Sequence, residues 1–274
     1  MIESADQRLI HSSSIGEGPP VVLIHGLFGS GSNLGGLARA LADRFRVIQL
    51  DLPNHGRSAW VADMDISSLA EAVAVFLQSE VESPVTLIGH SLGGKVAMQL
   101  ALVHPQLVRA LVVADIAPVA YQASHEAVFA GIAAVAGATV GDRREAAALL
   151  SEYIVEEGVI QFLLLSLKRD ATGALKKGAG YRWRFNAEAL QRNYPNLLLA
   201  PVKGTWHGPA FFLFGADSSY LSPRAERAAR EYFPAAKIDK IEGTGHWLHA
   251  EKPEQFNQRV MDFLTTQFDG RGDD

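Results

Sequence analysis

Four short apolar runs, Val21-Val22-Leu23-Ile24, Val47-Ile48-Gln49-Leu50, Val85-Thr86-Leu87-Ile88 and Leu111-Val112-Val113-Ala114, punctuate the first half of the chain. They are nearly continuous rather than alternating, the pattern of strands covered on both faces of a parallel sheet. Between the second and third, Ile66, Leu69, Ala70, Val73, Phe76 and Leu77 recur at helical spacing, and Asp65, Ser67 and Ser68 offer capping oxygens at the start. Strand, helix and strand make a βαβ unit, and its right-handed winding predicts an α/β fold with a mostly parallel, doubly wound sheet.

After Pro118 the rhythm changes. Ala127 to Ala136, Glu145 to Val155 and Val159 to Leu167 read as helices without intervening strands. The sheet pattern returns at Ala210-Phe211-Phe212-Leu213-Phe214, followed by a helix near Pro223 to Tyr232 and a strand around Lys237 to Ile241. A closing helix starts at Pro253 and lines one face with Phe256, Val260, Phe263 and Leu264. The expected division is a core of residues 1–117 and 210–274 interrupted by an inserted helical cap at 118–209.

Composition narrows the partners. A chain of 274 residues that is 48% hydrophobic can bury one large core. Its formal net charge of -5 gives no attraction to nucleic acid or to an anionic membrane, so the expected partner is a small molecule. The chain has no cysteine, which excludes disulfides, thiolate nucleophiles and cysteine-ligated metals. Runs such as Phe162 to Leu165 and Leu197 to Pro201 fall far short of the roughly 20 residues that span a bilayer, so no membrane insertion is expected. Met1 to Gly18 carries Glu3 and Asp6 and lacks the basic start and apolar stretch of a signal peptide, which suggests a cytoplasmic location. Composition is silent on oligomeric state.

Chemistry concentrates at Gly89-His90-Ser91-Leu92-Gly93, between the run ending at Ile88 and a helical stretch, Lys95 to Val103. A serine on a sharp strand-to-helix turn is a nucleophile elbow, and the flanking glycines keep neighbouring Cβ atoms out of the way. Serine at its ordinary pKa is a poor nucleophile, so a histidine must take its proton and a carboxylate must orient that histidine. Of nine histidines, His246 in Gly243-Thr244-Gly245-His246 lies after a predicted strand, where a loop reaches back over the carboxyl ends of the sheet. His249 is its rival; His90 and His104 read as structural. Two acids preserve the chain order of serine, aspartate and histidine: Asp115, ending the run to Ala114, and Asp217, following the strand Ala210 to Phe214. Acyl transfer also needs two N–H donors for the developing oxyanion, and Leu92 and Leu27 supply them, the second from the turn His25-Gly26-Leu27-Phe28-Gly29. Asp51, Asn54, His55, Gly56 and Arg57 form a further polar turn that reads as structural. No metal or cofactor is required.

Taken together, His25-Gly26, Asp51-Leu-Pro-Asn-His-Gly-Arg-Ser58, Gly-His-Ser91-Leu-Gly-Gly94 and Gly-His246-Trp-Leu-His-Ala-Glu251-Lys-Pro253 resemble the α/β-hydrolase superfamily across nearly the whole chain. Asn-His-Gly at 54–56, Asp115-Ile-Ala-Pro118, Glu157-Gly-Val-Ile-Gln-Phe162 and Trp183-Arg-Phe-Asn186 look like the YbfF-type esterases. That resemblance implies hydrolysis of short acyl esters or acyl-CoA thioesters. It also implies Asp115 as the acid, because the position at which many superfamily members carry the acid is Ser218 here. Epoxide hydrolases and haloalkane dehalogenases share the fold but use an aspartate nucleophile, so by resemblance Ser91 argues against both; carbon–carbon bond hydrolases, lipase-like enzymes and slow ligand sensors stay open as alternatives. One stretch departs from the family pattern: residues 168–184 hold six basic residues against one acidic, and their expected role is either solvation or attraction of an anionic substrate tail.

Overall fold

The computed structural model describes residues 8–81, 84–169 and 180–269. Its centre is a seven-stranded sheet. The strands are β1 (His11–Ile15), β2 (Pro20–Ile24), β3 (Arg46–Asp51), β4 (Val85–His90), β5 (Val108–Ala114), β8 (Ala210–Gly215) and β9 (Ala236–Ile241). They lie in the order β1-β3-β2-β4-β5-β8-β9, and every pairing except β1 with β3 is parallel. β1 was not anticipated from the sequence: His-Ser-Ser-Ser-Ile carries no apolar run, because an exposed edge strand needs backbone pairing and little burial.

The apolar runs serve both faces by alternation. Val22, Ile24, Leu111, Val113 and Phe212 point into one core with α2 (Ile66–Glu80), α3 (Leu92–Val103) and α8 (Pro223–Tyr232). Val21, Leu23, Val112, Phe211 and Leu213 meet α1 (Gly35–Leu41) and α10 (Pro253–Asp269), with Phe256, Val260 and Leu264 buried beneath the latter. α2 starts at Asp65, whose side chain accepts from the Ser68 N–H at 2.7 Å while the Ser68 hydroxyl accepts from the Asp65 N–H at 2.9 Å, a reciprocal cap.

The neighbouring strands β5 and β8 are separated in sequence by an insertion of α4 (Glu126–Gly137), α5 (Arg143–Ser151), α6 (Glu157–Leu165), the ribbon β6 (Leu167–Arg169) and β7 (Tyr181–Trp183), and α7 (Ala187–Leu197). The three helices expected here are present with shifted ends. No strand intervenes between these three helices, as expected; after them the insertion adds elements the sequence reading did not give, the antiparallel pair β6 and β7 and a fourth helix, α7, that contains Pro195. Strands of three residues leave too short a pattern to read, and Pro195 argues locally against the helix that Asn186 starts by capping Ala189 N–H. A short helix α9 (Leu248–Glu251) precedes α10. Among the described residues no helix is long and apolar enough to cross a membrane. Residues 170–179 of the basic stretch lie outside the described residues.

Candidate active site

Every candidate residue sits at the carboxyl edge of the sheet, where parallel strands deliver their loops. Ser91 links β4 to α3 with φ 52° and ψ -119°, a conformation an ordinary side chain occupies only when its surroundings impose it. Those surroundings require glycine on both sides: a Cβ on Gly89 would stand 2.2 Å from the Gly93 carbonyl oxygen, and one on Gly93 would stand 2.2 Å from that of Ile24. Leu92 opens α3, so its N–H is among those at a helix start without an intrahelical acceptor.

Asp115 ends β5 with the same left-handed twist, φ 52°, and is fully buried. Its Oδ1 accepts from Gly215 N–H at 2.9 Å, and its Oδ2 accepts from the Ser218 hydroxyl at 2.5 Å and from His246 Nδ1 at 2.6 Å. A buried carboxylate is tolerated only when its lone pairs are met, and three donors from two segments, the turn at 215–218 and the loop bearing His246, meet them here. With Nδ1 donating to Asp115, the lone pair of the neutral imidazole lies on Nε2, the tautomer a base needs. Asp217 is not part of this set: its backbone N–H donates to Thr244 carbonyl while the residue itself is exposed. Ser218, by contrast, places its hydroxyl on the Asp115 carboxylate.

The loop bearing His246 is pinned on several sides. Gly215 and Gly245 approach so closely that a Cβ on the former would lie 2.1 Å from the carbonyl oxygen of the latter. The Glu251 carboxylate accepts from the N–H groups on either side of His246, Gly245 at 2.8 Å and Trp247 at 3.2 Å. His90 donates from Nε2 to the His246 carbonyl at 2.9 Å, and Tyr220 stacks on the His246 ring with centroids 4.5 Å apart. Burial keeps the Tyr220 phenol protonated, pushed up to about 12. His249 packs against His90 and not into the Asp115 set; burial lowers it to about 4, and its enclosed Nδ1 has no partner among the described residues. His104 lies far off, paired with Glu71.

The turn after β2 is braced by two neutral histidines. His25 donates from Nδ1 to Gly26 carbonyl at 2.7 Å and accepts the Leu52 N–H on Nε2 at 3.0 Å. His55 donates to Pro53 carbonyl at 3.0 Å and accepts the Phe28 N–H at 3.3 Å. Burial lowers both, His55 to about 3, so neither carries charge beside the turn. With Phe28 N–H taken by His55 and Gly29 N–H by Gly26 carbonyl, Leu27 N–H is left without a protein acceptor among the described residues. A Cβ on Gly26 would touch that of Ser91 at 3.3 Å, which places this turn beside the serine. Asp51 accepts from Gly31 and Arg57 N–H groups, and Asn54 receives Asn186 of the insertion, so the polar turn at 51–57 ties the turn after β2 to the insertion. The bracing by His55, the support by Ser218 and the clamp by Glu251 went unread in the sequence, although all three residues lie within the quoted motifs or at the position noted for the acid.

Two cavities meet at Ser91. The smaller, about 150 Å³, is bordered by Leu27, Leu92, Ile116, Tyr121, Leu197 and Leu198. The larger, about 320 Å³, is bordered by Gly26, His246, Trp247, Val159 and Phe162. Lys95, one helical turn after Ser91, closes the floor of the smaller cavity, is 3% exposed, and donates to the carbonyls of Leu197, Leu198 and Leu199 at 3.2, 2.8 and 2.6 Å. Burial pushes its amine down to about 7. Among the described residues no group of three or more His, Cys, Asp or Glu is placed to hold a metal ion.

Comparison with known proteins agrees with this architecture. Residues 21–259 match the model of the alpha/beta hydrolase family. The chain is 38% identical to esterase YbfF of Escherichia coli (strain K12), an alignment covering 89% of this chain and 92% of that protein. It is 35% identical to the sn-1-specific diacylglycerol lipase ABHD11 of Mus musculus, over 90% of this chain and 81% of that one. Among solved structures, a marine microorganism esterase superposes with a TM-score of 0.86 at 37% identity, covering 93% of this chain and 99% of that one. The chain belongs to the α/β-hydrolase family, among its YbfF-type members.

Proposed function

We propose that this protein is a carboxylic ester hydrolase that works through an acyl-enzyme on Ser91. The observation that carries the reading is the Asp115–His246 contact at 2.6 Å, behind the cavity that His246 borders together with Ser91. In the first half-reaction His246 Nε2 takes the Ser91 proton as Oγ attacks the ester carbonyl, and the Leu27 and Leu92 N–H groups hold the oxyanion. Collapse breaks the bond to the alcohol oxygen, which leaves with the proton from His246. In the second, His246 deprotonates a water that attacks the acyl carbonyl, and Ser91 regains its proton. Asp115 stays ionised throughout and stabilises the imidazolium.

The leaving oxygen must receive its proton from His246, and His246 borders the larger cavity but not the smaller. The alcohol portion therefore occupies the larger space and the acyl chain the 150 Å³ chamber, which favours short acyl groups. The insertion at 118–209 acts as the cap that forms the roof of both. The named esterase and lipase relatives support the reaction class. Coenzyme A thioesters are a narrower version of the same reading, supported by the cations Lys168, Arg182 and Arg184 on and beside the β6–β7 ribbon.

Hydrolysis of a p-nitrophenyl ester series alongside acyl-CoAs tests both levels. Steady turnover that falls with acyl length and drops by roughly 10⁴-fold or more in Ser91→Ala is expected. Undiminished turnover in Ser91→Ala would overturn the reading; a single stoichiometric burst would favour a slow ligand sensor instead.

A further inference from the structure

Both half-reactions place a positive charge on His246, and the groups packed around that ring decide how well the charge is borne. The Asp115 carboxylate meets it at Nδ1. His90 beside Ser91, His125 before α4 and His249 on α9 also face it, but burial lowers all three and keeps them neutral at neutral pH. The Glu251 carboxylate is engaged by the backbone N–H groups of the loop. One further group lies against the ring and takes no part in the steps above: Tyr220, which borders both cavities.

Tyr220 is fixed by its own turn and by a neighbouring ring. Its N–H donates to the Ser218 hydroxyl at 3.1 Å, the same hydroxyl that donates to Asp115, and Leu221 N–H closes the turn on the Ser218 carbonyl at 3.2 Å. Tyr121 meets the Tyr220 ring in a T-shaped contact at 5.0 Å, and Tyr121 is itself held by Ala117 N–H, which donates to its hydroxyl at 3.0 Å. Tyr220 and His246 stack with centroids 4.5 Å apart and planes 27° from parallel. Among the described residues nothing bonds to the Tyr220 hydroxyl, and its phenol is neutral, so what Tyr220 offers His246 is the face of its ring.

We propose that Tyr220 is a positioning residue whose ring face stabilises the imidazolium that His246 becomes when it takes the Ser91 proton. This rests on the serine-esterase reading and adds a member to its charge-bearing group. The negative face of an aromatic ring attracts a cation within about 6 Å of its centroid, weakly at exposed sites and more strongly as water is removed. With the His246 side chain 23% exposed, this contact falls between those limits. The turn after β8 brings no acid to His246, yet through Ser218 and Tyr220 it touches both partners of the ion pair, carboxylate and imidazolium.

Tyr220→Leu removes the ring, and Tyr220→Phe keeps it without the hydroxyl. The readouts are kcat/KM for p-nitrophenyl butyrate across about pH 5.5 to 9 and the ring-proton NMR titration of His246, assigned by its loss in His246→Gln, with thermal unfolding measured for each. In Tyr220→Leu the plateau of kcat/KM should fall about three- to tenfold. The acid limb and the NMR midpoint should both move to lower pH by about half to one unit, because a less stabilised imidazolium forms only at higher acidity. Tyr220→Phe should recover most of both effects, and Tyr220→Met carries the test if Tyr220→Leu fails to fold. Loosened packing alone would let water reach the imidazolium, moving the midpoint to higher pH or leaving it in place. Either result, or a Tyr220→Phe variant that falls as far as Tyr220→Leu, would overturn the proposal. Failure of the underlying reading looks different: Ser91→Ala would then hydrolyse the ester as well as the native chain does, while the NMR titration, which needs no turnover, would still report on the ring contact.

Discussion

Ser91 and Asp115 share φ 52°, and both stand at the end of a central strand. This backbone twist sets two side chains from neighbouring strands at the same sheet edge, and each is locked from behind by a strand hydrogen bond, Ser91 N–H to Ala114 carbonyl and Asp115 N–H to Leu213 carbonyl. Asp115→Asn should lower kcat by about 10⁴-fold, because an amide can present an acceptor to Nδ1 only in one orientation and no longer balances the imidazolium. Asp217→Asn should leave kcat within about twofold; steady-state kinetics on one p-nitrophenyl ester compares the two. Both aspartates follow strands in the sequence, so residue type and position could not separate them. What separates them is Ser218, three residues past Gly215, whose hydroxyl reaches an acid 103 positions earlier in the chain. The elbow was legible because its geometry demands glycine at 89 and 93, and a demand on residue type leaves a trace. Hydrogen bonds made by Ser218, His55 and Glu251 could have been made by other polar residues, and so leave none.

At the scale of elements, the central strands were readable because both of their faces are buried, whereas β1, β6, β7 and α7 have compositions set by edges, cations and an internal proline. Two helices carry testable consequences. In α3, Gly93→Ala places a methyl 2.2 Å from the Ile24 carbonyl oxygen, a clash with backbone that nothing flexible can relieve. Its expected cost is about 4 kcal/mol or more, seen as loss of folded protein in thermal unfolding. At the end of α7, the buried Lys95 side chain donates to the carbonyls of Leu197, Leu198 and Leu199, which have left the helical ladder. Lys95→Met keeps most of the volume but removes the donor to the Leu197 and Leu199 carbonyls and leaves Leu198 with only the Tyr121 N–H. It should lower Tm by roughly 2–5 °C, in line with a loss of about 1–3 kcal/mol, and loosen the wall formed by Leu197 and Leu198, so KM for short acyl esters should rise more than kcat falls.

The whole molecule should be sensitive to acid through its buried histidines. His55 and His249 titrate near 6.5 when unfolded and at about 3 and about 4 when folded. Below pH 6.5 the unfolded chain takes up protons that the folded chain refuses, so stability is fully present above 6.5 and is lost as pH falls toward the folded values. Each contributes a loss of roughly 1.4 kcal/mol per pH unit across that window. Urea unfolding midpoints between pH 7.5 and 5 should fall steeply, and His55→Gln, which removes one of these groups while His25 and His90 add to the same trend, should flatten the slope. The central claim is that the acyl group passes through Ser91 under the control of His246 and Asp115. Rapid mixing with p-nitrophenyl butyrate, acid quenching within the first turnover and peptide mass mapping tests it most directly. The account predicts a butyryl group on the peptide containing Ser91, absent in Ser91→Ala; p-nitrophenol release without that adduct, or an adduct on another residue, would contradict it.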